Sequence, residues 1–138
     1  MQDEPLTIHG DGHASRDWLY VDDMAEAIEA IIAAPREQVS GEVLNVATGV
    51  DISVSEIANR VLDALGKPRD LTTHVPERLG QVDRHIGSTD KMERLTGWSA
   101  RTSFDDGLER TIDWYRKNEA WWREVLARPS GVAGASSS

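Results

Sequence analysis

The chain alternates short apolar runs of strand length with longer stretches whose apolar residues recur every three to four positions, and nearly every change of period is punctuated. Residues 6–9 alternate and end at Gly10-Asp11-Gly12, which predicts a short strand entering a tight turn. Residues 18–21, aromatic and apolar, predict a second strand. Asp22 or Asp23 then offers an N-cap carboxylate to a helix with Met24, Ala27, Ile28, Ile31 and Ile32 on one face, stopped by Pro35. Residues 42–47 (EVLNVA), bounded by Gly41 and Gly49, predict a buried strand. Ser53 and Glu56 have capping-box spacing, and Val54, Ile57, Ala58, Val61, Leu62 and Leu65 continue one helical face to a left-handed stop at Gly66. A weaker strand over 71–75 and a polar loop over 76–84 come next. A short helix starting near residues 88–90 turns Met92 and Leu95 inward and ends at Gly97. Ser103 and Asp106 repeat the capping pattern ahead of one long final helix through Leu108, Ile112, Tyr115 and Trp122.

The predicted order β-β-α-β-α-β-α-α places the chain among α/β folds, or α+β if it stands alone, with a small sheet and four main helices. At 138 residues it has room for one core and is short for two. Residues 1–128 form the expected folded unit. The small, polar stretch 129–138 (PSGVAGASSS) is expected to be a disordered tail.

Charge and composition exclude several roles. Fifteen basic against 24 acidic residues give a net charge of -9, a field that repels nucleic acid and anionic membranes, so an anion has to be held by a local basic pocket. No apolar run approaches the 18 or so residues a membrane helix needs. Without cysteine there is no disulfide and no thiolate metal site, which fits a cytoplasmic setting. His9 and His13 are four apart but span a glycine turn, and a metal site needs three or four converging ligands, so no metal is expected.

Three ordered stretches resemble the extended short-chain dehydrogenase/reductase family. They are Gly10-Asp11-Gly12 with residues 16–23 (RDWLYVDD), residues 41–49 (GEVLNVATG), and residues 78–84 (RLGQVDR) continuing to Gly97-Trp98 and Thr102-Ser103-Phe104. Together they cover nearly everything from Pro5 to Leu126, and residues 113–122 (DWYRKNEAWW) look most like the dTDP-glucose 4,6-dehydratases. The resemblance implies the C-terminal, substrate-binding lobe of an NAD-dependent nucleotide-sugar dehydratase or epimerase, with a dTDP- or UDP-sugar as ligand. In such enzymes NAD takes hydride from sugar C4, water leaves across C5 and C6, and hydride returns to C6. The groups that do this are expected outside this chain. Ser15 stands where the third glycine of a dinucleotide fingerprint belongs, the residues after it read as strand and not helix, and no Tyr-x-x-x-Lys occurs. No catalytic residue and no cofactor-binding residue is therefore expected here, and NAD is expected in the full-length parent.

The resemblance implies phosphate contacts for Arg16 and Arg78. A guanidinium offers a rigid fork of donors matched to phosphate oxygens, whereas the residues alone allow Arg16 a surface salt bridge to Asp17 or Asp22. Leu79 replaces a proline common in the family's loop. Arg84 could share the site or be solvated, and Asn45 could meet the nucleotide or bond neighbouring backbone. Trp114, Trp121 and Trp122 are expected to anchor the terminal helix as core residues. By the same resemblance, the strand at 42–47 packs in the cofactor domain's sheet. Exposed without it, that strand is expected to invite a homo-oligomer or pairing with a missing N-terminal cofactor domain.

Overall fold

The computed structural model describes residues 4–127, so the expected tail at 129–138 lies outside the described residues. In chain order the elements are β1 (Leu6–His9), β2 (Ser15–Asp17), α1 (Val21–Ala33), α2 (Arg36–Val39), β3 (Asp51–Ser53), α3 (Val54–Ala64), β4 (Thr72–Val75), β5 (Arg84–His85), α4 (Asp90–Thr96), α5 (Phe104–Lys117) and α6 (Glu119–Ala127). The mixed α/β class expected from the pattern holds. Two small sheets stand where one was expected: β1 runs parallel to β4, and β2 lies between antiparallel β3 and parallel β5.

Chain punctuation sets most boundaries. Ser53 caps α3 by accepting from the Glu56 N–H at 3.2 Å, and Gly66, at φ +64°, closes it as Lys67 N–H reaches the Leu62 carbonyl at 2.8 Å. The expected reciprocal bond from Glu56 is not made, because its carboxylate binds Arg60 at 2.5 Å. Ser103 caps α5 through the Asp106 N–H, and Gly97 ends α4 in the left-handed conformation. The main core cluster is Ala27, Met92 and Trp98, covered by Leu19, Ile31, Leu44, Val46 and Ala100.

Several expectations are corrected. The second strand is Ser15–Asp17 and not 18–21, because Tyr20 already occupies the N-cap of α1. Neither Asp22 nor Asp23 caps that helix; both lie in its first turn. Residues 42–48 form neither helix nor strand and join no described sheet. Leu44 and Val46 anchor them to the core, Ala47 is buried, and Val43 projects outward at 81% exposure. The segment is thus held by side-chain anchoring and not by a ladder of backbone bonds. The loop at 76–84 ends in strand β5, and α2 and β3 are additional elements. The single final helix is two, α5 and α6, broken at Asn118, whose side-chain amide donates to the Trp114 carbonyl at 2.8 Å. Trp114 and Trp121 are exposed, meeting edge to face at 5.3 Å, so they are not core. The apolar stripe of α1 is only partly covered: Ala27 is fully buried while Ile32 is 78% exposed.

Candidate functional site

Arg16 is the central residue of β2, in register with Ile52 on β3 and His85 on β5. Side chains alternate along a strand, so Arg16 projects from one face of this sheet, and Ser15 and Asp17 from the other. The second face is a closed polar network. Ser15 Oγ donates to Asp51 at 2.5 Å, and Arg84 grips the same carboxylate through Nε at 3.0 Å and Nη2 at 2.8 Å. The hydrogen bonds from Arg84 and Ser15 hold the Asp51 carboxyl far below the ordinary carboxylate range. Asp17 accepts from Thr48 N–H at 2.8 Å, Thr48 Oγ1 at 2.6 Å, Gly49 N–H at 2.9 Å and Gly87 N–H at 3.4 Å. One carboxylate therefore ties the end of the 42–49 segment and the approach to α4 onto β2.

Arg84 is thereby separated from Arg16: it lies across the sheet and its fork is taken by Asp51. Among the described residues, Arg16 itself donates only to the Ser15 carbonyl, at 2.7 Å. Arg78 lies three residues past β4 in an exposed stretch, where its Nη2 donates to His9 Nε2 at 3.0 Å. The loop carrying Arg78 starts beside His9, which pairs with Val75, and ends at β5 beside Ser15. It thus bridges the two sheets and approaches β2, where Arg16 resides. Asn45 is exposed on the 42–48 segment.

Two cavities lie elsewhere, and none of Arg16, Arg78, Asn45 and Arg84 lines either. One of about 430 Å³ between α3 and α5 sets Asp63, Asp105, Glu109 and Asp113 against Arg60 and Arg116, an acidic balance that disfavours a phosphate. The other, about 650 Å³, is walled by Trp18, Tyr20, Phe104, Trp114 and Tyr115 and has no cation in its wall. Arg16 is half-buried and Arg78 exposed, each outside these two cavities.

The Gly10–Gly12 turn does not fit the pyrophosphate of NAD. β1 passes through it into β2, not into a helix, so no helix N-terminus opens from this turn to receive a pyrophosphate. Gly12 serves packing instead, since a Cβ there would lie 2.0 Å from Ser55 Oγ and 2.9 Å from Ile8 Cγ2. The start of α3 is also spent internally: Val54 N–H binds the Ala14 carbonyl and Ser55 N–H the Gly12 carbonyl, both at 3.0 Å.

Residues 1–111 match the GDP-mannose 4,6 dehydratase family. The chain belongs to that family. Within it, the chain is 36% identical over 135 residues to a dTDP-glucose 4,6-dehydratase from Streptomyces niveus, covering 98% of this chain and 39% of that one. Among solved structures, a dTDP-glucose 4,6-dehydratase from Streptomyces venezuelae with NAD bound superposes with TM-score 0.81 at 33% identity, over 88% of this chain and 37% of that one. A UDP-glucose 4-epimerase from Thermotoga maritima, with UDP-glucose, gives TM-score 0.77 at 28% identity, over 85% of this chain and 36% of that one. The chain thus spans under two-fifths of these family members and corresponds to their C-terminal part.

Sequence reasoning did not find Asp17, Asp23, Asp51 or His9 as organising residues. Asp23, 3% exposed, accepts from Arg101 N–H at 3.1 Å, Thr102 N–H at 2.9 Å and Thr102 Oγ1 at 2.8 Å. The doublet Asp22-Asp23 carried a usable signal, since one acid suffices for a helix start and a second is free for another partner.

Proposed function

We propose that this chain holds a nucleoside diphosphate-sugar for an NAD-dependent enzyme of the dTDP-glucose 4,6-dehydratase kind, and does no hydride chemistry alone. Arg16 and Arg78 take the diphosphate, Asn45 offers its amide to the nucleotide, and Arg84 orders β5 through Asp51. The observation that supports this reading is the neutral partnering of the two motif arginines. Arg60, Arg69, Arg84, Arg116 and Arg123 each meet a carboxylate, whereas among the described residues Arg16 and Arg78 donate to neutral acceptors only. Arg36, Arg94, Arg101 and Arg110 also make no ion pair among the described residues, but in a chain of net charge -9 it is Arg16 and Arg78 that combine an uncancelled charge with a place in the stretches that resemble the family. Their role is positioning: fixing the diphosphate presents the sugar to a cofactor bound by other residues. Full-length relatives bind NAD, and the chain's partner in this reading is the portion of the family fold that carries it.

The test is a calorimetric titration of dTDP into wild type, Arg16→Ala and Arg78→Ala. A charged hydrogen bond contributes about 1.5–3 kcal/mol, so each variant should bind roughly tenfold or more weakly. Equal affinities across the three remove both arginines from the role. The likeness to the Thermotoga epimerase supports a second reading, a UDP-sugar 4-epimerase lobe, in which UDP binds more tightly than dTDP in the same titration.

A further inference from the structure

His9 occupies the last position of β1, in register with Val75. Its ring meets two partners of fixed character. The Pro76 carbonyl, 3.3 Å from Nδ1, can only accept, and the Arg78 guanidinium, 3.0 Å from Nε2, can only donate. One arrangement satisfies both: the ring is neutral, Nδ1 carries the proton, and the Nε2 lone pair accepts from Arg78. An imidazolium has no lone pair to offer and sets a second positive charge against the guanidinium.

We propose that His9 is the positioning residue for Arg78, holding the guanidinium through Nε2 so that its remaining N–H groups are presented to a diphosphate. This rests on reading Arg78 as a diphosphate ligand. The reason for a histidine is electrostatic. Arg78 is a long side chain on an exposed stretch between Glu77 and the left-handed Gly80, and it needs an acceptor to limit its rotamers. A carboxylate would hold it as firmly but would cancel the charge that attracts phosphate; a neutral imidazole leaves that charge intact and uses one of five donors.

The experiment uses the whole chain with dTDP as probe. Nitrogen NMR of wild type should report His9 as the neutral Nδ1–H tautomer near pH 8, and an Nε2–H tautomer there overturns the proposal without any ligand. In titrations at pH 8, His9→Phe should weaken dTDP binding about 5–10-fold while His9→Gln, which keeps an acceptor near the Nε2 position, stays within about twofold of wild type. If Arg78→Ala weakens binding but His9→Phe binds as wild type does, the role of His9 is refuted and that of Arg78 survives. If Arg78→Ala binds as wild type does, or wild type binds no dTDP, the reading of Arg78 fails and takes this proposal with it.

Discussion

Asp23 gives the most demanding test of how this fold is held. Its carboxylate accepts three hydrogen bonds from a segment 78 and 79 residues away, joining the start of α1 to the chain just ahead of α5. Each bond to an ionised acceptor contributes about 1.5–3 kcal/mol when fully buried. Arg101 is exposed and Thr102 half-buried, so water replaces part of what is lost, and Asp23→Ala should cost about 3–4 kcal/mol in total. Against a typical stability of about 5–15 kcal/mol that is a large fraction. At roughly 3 °C per kcal/mol for a chain of this size, the melting temperature should fall about 10 °C. The pH dependence reflects competing causes. Burial alone raises the Asp23 pKa, but the hydrogen bonds from Thr102 and Arg101 and the charge of Arg110 outweigh it, so the net displacement is downward. A carboxyl depressed in the folded state stabilises fully above its unfolded pKa, about 3.9, and loses that contribution as pH falls through the folded value. Urea unfolding at pH 7, 5 and 3 should therefore show a constant gap between wild type and Asp23→Ala down to pH 5 and a narrowing only below about pH 4. A gap under about 1 kcal/mol at pH 7, or one that closes between pH 7 and 5, refutes the account.

Gly12→Ala combines φ +77° with a Cβ 2.0 Å from Ser55 Oγ, so chemical denaturation should show a loss of about 2–4 kcal/mol, and Ser55→Ala in the same chain should restore part of it. An undiminished midpoint would mean that the turn relaxes freely. Chain incubated with dTDP-glucose and added NAD should yield no 4-keto product, and titrated NAD should give weak or no binding heat, because no Gly-rich turn opens a helix here; measurable turnover would falsify the assignment of hydride chemistry to other residues. The exposed stripe of Val21, Met24, Ile28 and Ile32, together with exposed Val43, should drive self-association, which light scattering over increasing concentration would detect. Ile32→Glu should reduce it, and a monomer at every concentration would count against that surface.

What was legible in the sequence is what local chemistry determines. Ser53, Ser103, Gly66 and Gly97 act within a turn of themselves, and their helices begin and end where those residues require. The errors arise where a partner distant in sequence decides. Residues 42–47 have strand composition, but a strand exists only with a neighbour, and no described strand lies beside them. Asp23 has the local credentials of a cap and is taken by Thr102. The run from Ser103 to Trp122 carries no proline or glycine stop past Gly107, and the break at Asn118 comes from a side-chain amide competing for a helix carbonyl. For the site, the residue type of Arg16 and Arg78 was readable, but their lack of a carboxylate partner was not, and neither was the imidazole on Arg78.

The dipeptide Arg16-Asp17 shows why such a motif is more than a ligand contact. Period-two alternation sends the two side chains to opposite faces of one strand, so they cannot neutralise each other across the backbone. Asp17 spends its charge on N–H donors of Thr48, Gly49 and Gly87, which fixes the segment carrying Asn45 and the chain leading into α4. Gly87 lies so close to that segment that a Cβ would sit 2.8 Å from the Ala47 Cβ, so the two pieces are packed as well as bonded. Arg16, freed from the salt bridge that proximity in sequence suggests, projects from the opposite face of β2. The scaffolding acid and the arginine proposed to take an anion are thus separated by a single peptide bond, and it is the geometry of a strand that sends them to different faces.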